Sequence, residues 1–136
     1  MAPEPETLPD ADARLALSAL MVRLARADGF YDADERARII GILSQRYELN
    51  QAGAQSLLAE AETLEGEAPD TVRFTRAIKE AVPYEARVEV IEALWQVALA
   101  DGERDAAEDS LIRLVASLLG FTDQENARAR QRSSGA

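Results

Sequence analysis

Two short segments of the chain carry acidic side chains at the same spacing. ARADGFYDADE covers residues 25–35 and ALADGERDAAE covers residues 98–108, so the second follows the first at a shift of 73 residues. Grouped carboxylate oxygens are the ligands that hard divalent cations prefer, which makes Ca²⁺, Mg²⁺ or Mn²⁺ the candidate cofactor. The candidate metal ligands are Asp28, Asp32 and Glu35 in the first segment and Asp101, Asp105 and Glu108 in the second.

Part of this pattern has an ordinary structural explanation. Asp32 with Glu35, and Asp105 with Glu108, have the spacing of a capping box, in which both acids favour the first turn of a helix. Taken alone, these four residues are better explained by helix capping than by a binding function.

Capping does not explain the first aspartate of each segment. Asp28 and Asp101 each lie directly before a glycine at the end of a predicted helix, where the helix dipole disfavours a carboxylate. An Asx-turn, in which the carboxylate accepts backbone N–H groups of its own loop, is the structural alternative to a binding function.

Crowded carboxylates require a positive counter-charge. Two like charges about 6 Å apart repel by about 3 kcal/mol at an effective dielectric near 20. Either a cation or an arginine supplies the balance, and the nearby arginines are Arg26, Arg36, Arg38 and Arg104. The spacing is not that of an EF-hand, so either water and backbone carbonyls complete each site or the two loops share one ion. A shared ion would have Asp28, Glu35, Asp101 and Glu108 as its ligands.

Composition excludes most other site chemistry. The chain has no cysteine and no histidine, which removes thiolate and imidazole metal sites and histidine-driven nucleophiles. A net charge of −10 disfavours binding to nucleic acid and to anionic lipid, and it favours binding to a basic protein partner. With no apolar run of membrane-spanning length and no signal peptide, we expect a soluble, cytoplasmic protein without membrane insertion.

The elements that position the acidic segments are predicted to be helices throughout. The 136 residues show the period of 3.6 and predict an all-α fold: one helical domain of about seven helices over residues 10–132. We expect a disordered acidic leader over residues 1–9 and a flexible tail over 133–136. Predicted helix caps are Asp10, Asn50, Asp70 and Thr122 with Glu125, and the predicted second helix runs from Ala33 to Tyr47.

The repeat extends beyond the acidic segments and indicates an internal duplication. Apolar positions of the first and fifth helices coincide at the same shift, and after a one-residue slip Asn50 falls on Thr122. We therefore expect two helical hairpins related by an approximate two-fold, with the third and fourth helices bridging them. The fifth helix, apolar on two faces, is predicted to be the central element.

ARADGFYDADERARII and LWQVALADGERDAAEDSLIRLVASLLGF resemble the tellurite-resistance TerB-like family, over about residues 15–125. The resemblance implies a small acidic bacterial domain of duplicated helices with two A-D-G-x-x-x-x-x-E segments, metal binding, a role in stress response and no catalytic activity. It assigns functional positions to Asp28, Glu35, Asp101 and Glu108.

Three functions remain open at this point. The first is a non-enzymatic scaffold domain that binds a divalent cation, and the second is an acidic protein–protein interaction module without metal. The third is a metal-dependent hydrolase, which carboxylates alone permit. The sequence contains no phosphate-binding glycine loop and no basic substrate clamp, so we rank the hydrolase last.

Overall fold

The computed structural model describes residues 7–27, 29, 31–68, 70–100 and 106–133, with side chains from residue 12 onward. These residues form seven α-helices and one short 3-10 turn, at Tyr84–Ala86, which confirms the all-α prediction. The helices are α1 Thr7–Arg26, α2 Ala33–Tyr47, α3 Gln51–Glu67, α4 Val72–Ala81, α5 Val88–Leu99, α6 Ala106–Leu118 and α7 Asp123–Ser133.

Side-chain caps begin three of these helices as predicted. Asp32 and Asn50 each accept a hydrogen bond from the backbone N–H three residues later, at 2.9 and 2.7 Å. At α7 both halves of the capping box form, because Thr122 Oγ1 accepts from the Glu125 N–H and Glu125 Oε1 accepts from the Thr122 N–H. These bonds pair backbone donors that the first turn of a helix leaves without a partner.

Two helices begin at residues other than those predicted. α1 starts at Thr7, so Asp10 lies inside the helix and is not its cap. The helix includes the last three residues of the expected leader, and Pro9 falls in its first turn, where a missing N–H costs nothing. At α4 the position directly before the helix is Thr71, although Asp70 still accepts from the Arg73 N–H at 3.4 Å.

The hydrophobic core surrounds two helices. Every residue of α1 from Ala16 to Val22 is buried, and α1 packs against α2, α3, α4, α5 and α6. α5 is buried on two faces, as predicted, and packs against α1, α2, α6 and α7. The centre of the fold is therefore this pair of helices, where the sequence predicted α5 alone.

The chain order of the repeat is visible in the packing. α3 packs on α1 and α2, and α7 packs on α5 and α6, so each third helix covers its own hairpin. The bridging position predicted for α3 is wrong, whereas α4 does bridge, since it contacts both α1 and α6. The approximate two-fold relation between the halves stays a prediction. In the part of the chain that is described, no helix has the length and apolar character needed to span a membrane.

Candidate functional site

The first acidic segment connects α1 to α2. Gly29 adopts φ +88, the left-handed conformation that glycine accepts without strain, and its N–H donates to the carbonyl of Arg26 at 3.0 Å. Asp32 is exposed and caps α2, and Glu35 is half-buried in the first turn of α2. Asp28, the residue that capping could not explain, lies outside the described residues.

The second acidic segment is described only from its last part onward. Asp101 and Asp105 lie outside the described residues, while Glu108 lies in the first turn of α6 with 5% of its surface exposed. Among the side chains that are described, no three acidic groups are placed to hold one metal ion. That search does not reach Asp28, Asp101 or Asp105, so the six-residue ligand set stays a prediction.

Two of the four arginines that could balance the acidic segments, Arg26 and Arg36, have partners on α3. Arg36 forms an ion pair with Glu62, Nε to Oε2, at 2.8 Å, and Arg26 NH1 lies 2.5 Å from Oε1 of Glu65. Within the described residues these are the ion pairs of Arg26 and Arg36, and neither arginine pairs with an acid of its own loop there. Arg104 lies outside the described residues.

Glu62 is the centre of a three-residue cluster beside the first segment. Its Oε2 accepts from the Tyr31 hydroxyl at 2.5 Å, and its two oxygens accept from Nε and NH2 of Arg36 at 2.8 and 3.3 Å. Burial alone would raise the pKa of the Glu62 carboxyl, but the hydrogen bonds from Arg36 and Tyr31 outweigh it and hold this pKa below its ordinary value. Burial and the bond to Glu62 raise the pKa of the Tyr31 phenol, so Tyr31 stays a donor.

Glu65 is the centre of a second and more buried cluster one helical turn away. Its Oε2 accepts from Arg23 Nε at 3.0 Å and its Oε1 pairs with Arg26, so each oxygen holds one arginine. The guanidinium of Arg23 also donates to the carbonyl of Ala68 at 2.9 Å and to Thr71 Oγ1 at 3.3 Å. These bonds tie α1 to the carboxyl end of α3 and to the start of α4.

The guanidinium groups are further oriented by aromatic rings. Arg26 lies over the ring of Tyr31, 5.3 Å from its centroid, and Arg23 lies over the ring of Phe74 at the same distance. Tyr31, the residue that precedes Asp32, therefore contacts both clusters: its hydroxyl is bonded to Glu62, and its ring lies under Arg26. The amino-terminal approach to α2 is therefore anchored to α1 and α3 by polar contacts.

Sequence reasoning missed Glu62 and Glu65, although a signal for them exists. Arg23 and Arg26 lie three residues apart on α1, and Glu62 and Glu65 lie three residues apart on α3. Residues at this spacing share one helix face, so two matching pairs of opposite charge indicate facing helices. Sequence alone does not state which helices face each other, and the carboxylates of the acidic segments are nearer in the chain.

The Glu62 cluster predicts a pH dependence of stability. Glu62→Gln is expected to lower the free energy of unfolding near pH 7 and to lower it less as the pH falls below the unfolded-state pKa of about 4.3. A carboxyl whose pKa is depressed in the folded protein stabilises above its unfolded pKa, about 4.3, and loses that contribution as the pH falls through the folded value. Urea unfolding of both proteins across this range measures the difference.

The matched control for this prediction is Glu60→Gln, because Glu60 is exposed on the same helix. It should change the free energy of unfolding little at any pH. A deficit of Glu62→Gln that is constant over the whole pH range would contradict the assignment.

These observations define an all-helical acidic domain whose first acidic loop is anchored to a neighbouring helix. The family profile described as tellurite resistance protein TerB matches residues 14–131. The match spans most of the chain, and the protein belongs to the TerB family. Searches of the curated proteins and of the solved structures found no match.

Proposed function

We propose that this TerB-family chain is a non-enzymatic cytoplasmic domain that binds a divalent cation through its two acidic loops and acts as a scaffold in a tellurite-resistance-like stress response. One observation carries the proposal. The two arginines that flank the first loop, Arg26 and Arg36, are bonded to Glu65 and Glu62 on α3. These two arginines are engaged with α3, and a divalent cation is the counter-charge that we propose for the grouped carboxylates of the loop.

The capping role of Asp32 is compatible with this binding. A carboxylate has two oxygens, and the cap to Glu35 uses Oδ1 alone. The second oxygen of this exposed side chain is available to a cation. Capping and binding are therefore not alternatives at this residue.

The anchoring of Tyr31 also favours binding. Ligands that are already ordered lose less conformational entropy when an ion binds. Tyr31 is held by its bond to Glu62 and by the guanidinium of Arg26, so the chain enters Asp32 from a fixed position. In the full loop this arrangement reduces the cost of closing Asp28, Asp32 and Glu35 around an ion.

Calorimetric titration tests the proposal. Protein freed of metal with a chelator is titrated with Ca²⁺, Mg²⁺ and Mn²⁺, and at least one of these ions is expected to bind saturably. The double variant Asp28→Asn with Asp101→Asn should lose this binding, because it removes the carboxylate that capping does not explain from each loop.

The matched control is the double variant Glu60→Gln with Glu67→Gln. It changes the net charge by the same amount, but both side chains are exposed on α3 and belong to neither loop. The control should bind as the unmodified protein does. An absence of saturable heat at millimolar ion, or an equal loss in the control, would overturn the metal site.

The second candidate function is an acidic interaction module that docks a basic protein without metal. The observation in its favour is the number of exposed carboxylates outside both clusters, which include Asp34, Glu48, Glu60, Glu67 and Glu80. Such charges speed and orient association with a basic partner, and salt weakens that association. A null cation titration combined with salt-sensitive capture of a basic protein from the native cell would favour this function.

A further inference from the structure

A cleft of about 330 Å³ separates α6 from α7, and Trp95 of α5 lies at its base. The other polar residues that line it are Asp109, Ser110 and Arg113 of α6 and Asp123, Asn126 and Arg130 of α7. This volume lies at the lower end of the range for small-molecule sites. The cleft lies in the second half of the repeat, apart from the Glu62 and Glu65 clusters.

In the first half of the repeat, the residues that correspond to those lining the cleft are core side chains. At the shifts that align the two halves, Arg113, Asn126 and Arg130 correspond to Ile40, Ala54 and Leu58, and Trp95 corresponds to Val22. All four residues of the first half are buried in the hydrophobic core.

The second half has therefore placed two guanidinium groups and an amide where the first half has core side chains. Of these three groups, Asn126 is buried, whereas Arg130 is half-buried and the side chain of Arg113 is 70% exposed. A buried amide costs stability unless its polar atoms are satisfied, so Asn126 beside an open cleft points to a ligand.

Trp95 organises the polar groups of the cleft. Its indole Nε1–H donates to Asn126 Oδ1 at 2.9 Å, and the guanidinium of Arg130 lies over its ring at 5.7 Å. Because Oδ1 of Asn126 is fixed by this bond, its amide nitrogen is defined as a donor.

Asn126 is itself 9% exposed, and no hydrogen bond joins its amide nitrogen to another described residue. Since no fully buried side-chain nitrogen or oxygen in the described part of the chain lacks a partner, this nitrogen reaches solvent, and the cleft is the space that Asn126 lines.

The charges of the cleft define the kind of ligand. Arg113 and Arg130 are matched by two aspartates that line the same cleft, Asp109 and Asp123, and Arg113 Nε lies 3.6 Å from Asp123 Oδ1. A neutral set of this kind within a chain of net charge −10 does not concentrate simple anions. It is complementary to a ligand that itself carries one charge of each sign.

We propose that this cleft binds a small zwitterion of the free amino acid type. The carboxylate of the ligand is held by Arg130 and the amide nitrogen of Asn126, since a guanidinium and an amide present parallel donors to a carboxylate. Its ammonium group lies toward the aspartates. The cleft adjoins the second acidic segment, whose Ala106 lines it, but the proposed ligand contacts come from residues of α5, α6 and α7 outside that segment and require no bound metal.

Binding in this cleft can be followed by the NMR signal of one side chain. Trp95 is the only tryptophan in the sequence, so the protein has a single indole N–H resonance. Titration with each standard amino acid at millimolar concentration, followed by this resonance, is expected to give a saturable shift for at least one of them. Two analogues of that amino acid, one without the amino group and one without the carboxylate, should each bind at least about ten-fold more weakly than the amino acid itself.

Two variants and one control complete the test. Arg130→Leu, which installs the residue of the first half, should weaken binding about ten-fold or more. Arg113→Ile should weaken it as well, and the helical circular dichroism of both variants should be retained. Arg128→Leu changes the same charge on α7 at a residue that does not line this cleft, and it should leave binding unchanged.

Three results would overturn the proposal. They are the absence of a shift with any amino acid, an analogue with a single charge that binds as tightly as the zwitterion, and an equal loss in Arg128→Leu and Arg130→Leu.

Discussion

Replacing Glu65 by alanine is expected to lower the free energy of unfolding by about 3 kcal/mol. The side chain of Glu65 is 10% exposed and that of Arg23 is 19% exposed, so the ion pair is largely desolvated. Removing one partner of such a pair leaves the other charge uncompensated, which costs far more than the loss of a surface pair. Urea unfolding of the two proteins at neutral pH measures the difference.

A comparison within α3 separates this effect from a loss of surface charge. Glu60→Ala removes an exposed carboxylate from the same helix and should cost less than about 0.5 kcal/mol. The double variant Arg23→Met with Glu65→Leu should recover part of the loss, since apolar side chains of similar volume tolerate this environment. A cost below about 1 kcal/mol for Glu65→Ala would show that the cluster is solvated and does not brace the fold.

The second large effect is expected at Trp95. Trp95→Ala removes a side chain that is 3% exposed from the middle of α5 and should cost about 4 kcal/mol. This is a large part of the stability of a small domain. Trp95→Phe keeps a ring under Arg130 but removes the indole N–H, so Asn126 Oδ1 loses its donor in a buried position, at a cost of about 2 kcal/mol.

A double-mutant cycle tests the hydrogen bond on its own. Asn126→Ala in the Trp95→Phe background removes the unpaired acceptor, so the double variant should be more stable than the sum of the two single losses predicts. Thermal or urea unfolding of the four proteins gives the coupling free energy. Losses that simply add would contradict a bond between Trp95 and Asn126.

The sequence predicted the fold more fully than the site, for a physical reason. Helix type and helix ends depend on residues within one turn, and the caps at Asp32, Asn50 and Thr122 form as their side chains require. The start of α1 was predicted wrongly, because its first turn includes Pro9. Proline usually ends a helix, but it is tolerated in the first turn.

The partners of charged side chains were harder to predict. Arg26 is 39 residues from Glu65, and Arg36 is 26 residues from Glu62, so both pairs depend on how α3 lies against its own hairpin. A prediction that placed α3 between the hairpins could not bring these groups together. Glu108 shows the same limit, since the structure buries it and its capping-box spacing does not predict its burial.

The two halves of the predicted repeat differ in what lies between their second and third helices. In the first half α3 is long enough to pair with both arginines beside the acidic loop, and the space between α2 and α3 is filled by core side chains such as Ile40 and Leu58. In the second half an open polar cleft lies between α6 and α7. The duplication predicted from the sequence would leave one helix pair for the separate role that we propose for this cleft.

The proposed cation site is tested most directly by paramagnetic broadening with Mn²⁺. In protein freed of other metals, Mn²⁺ added below one equivalent is expected to broaden the backbone amide signals of Gly29, Tyr31 and Gly102 first. The signals of Gly53 and Glu125, at the caps of α3 and α7, should remain sharp at the same ion concentration. Uniform weak broadening of all exposed acidic positions, with no preference for the two loops, would contradict a cation site there.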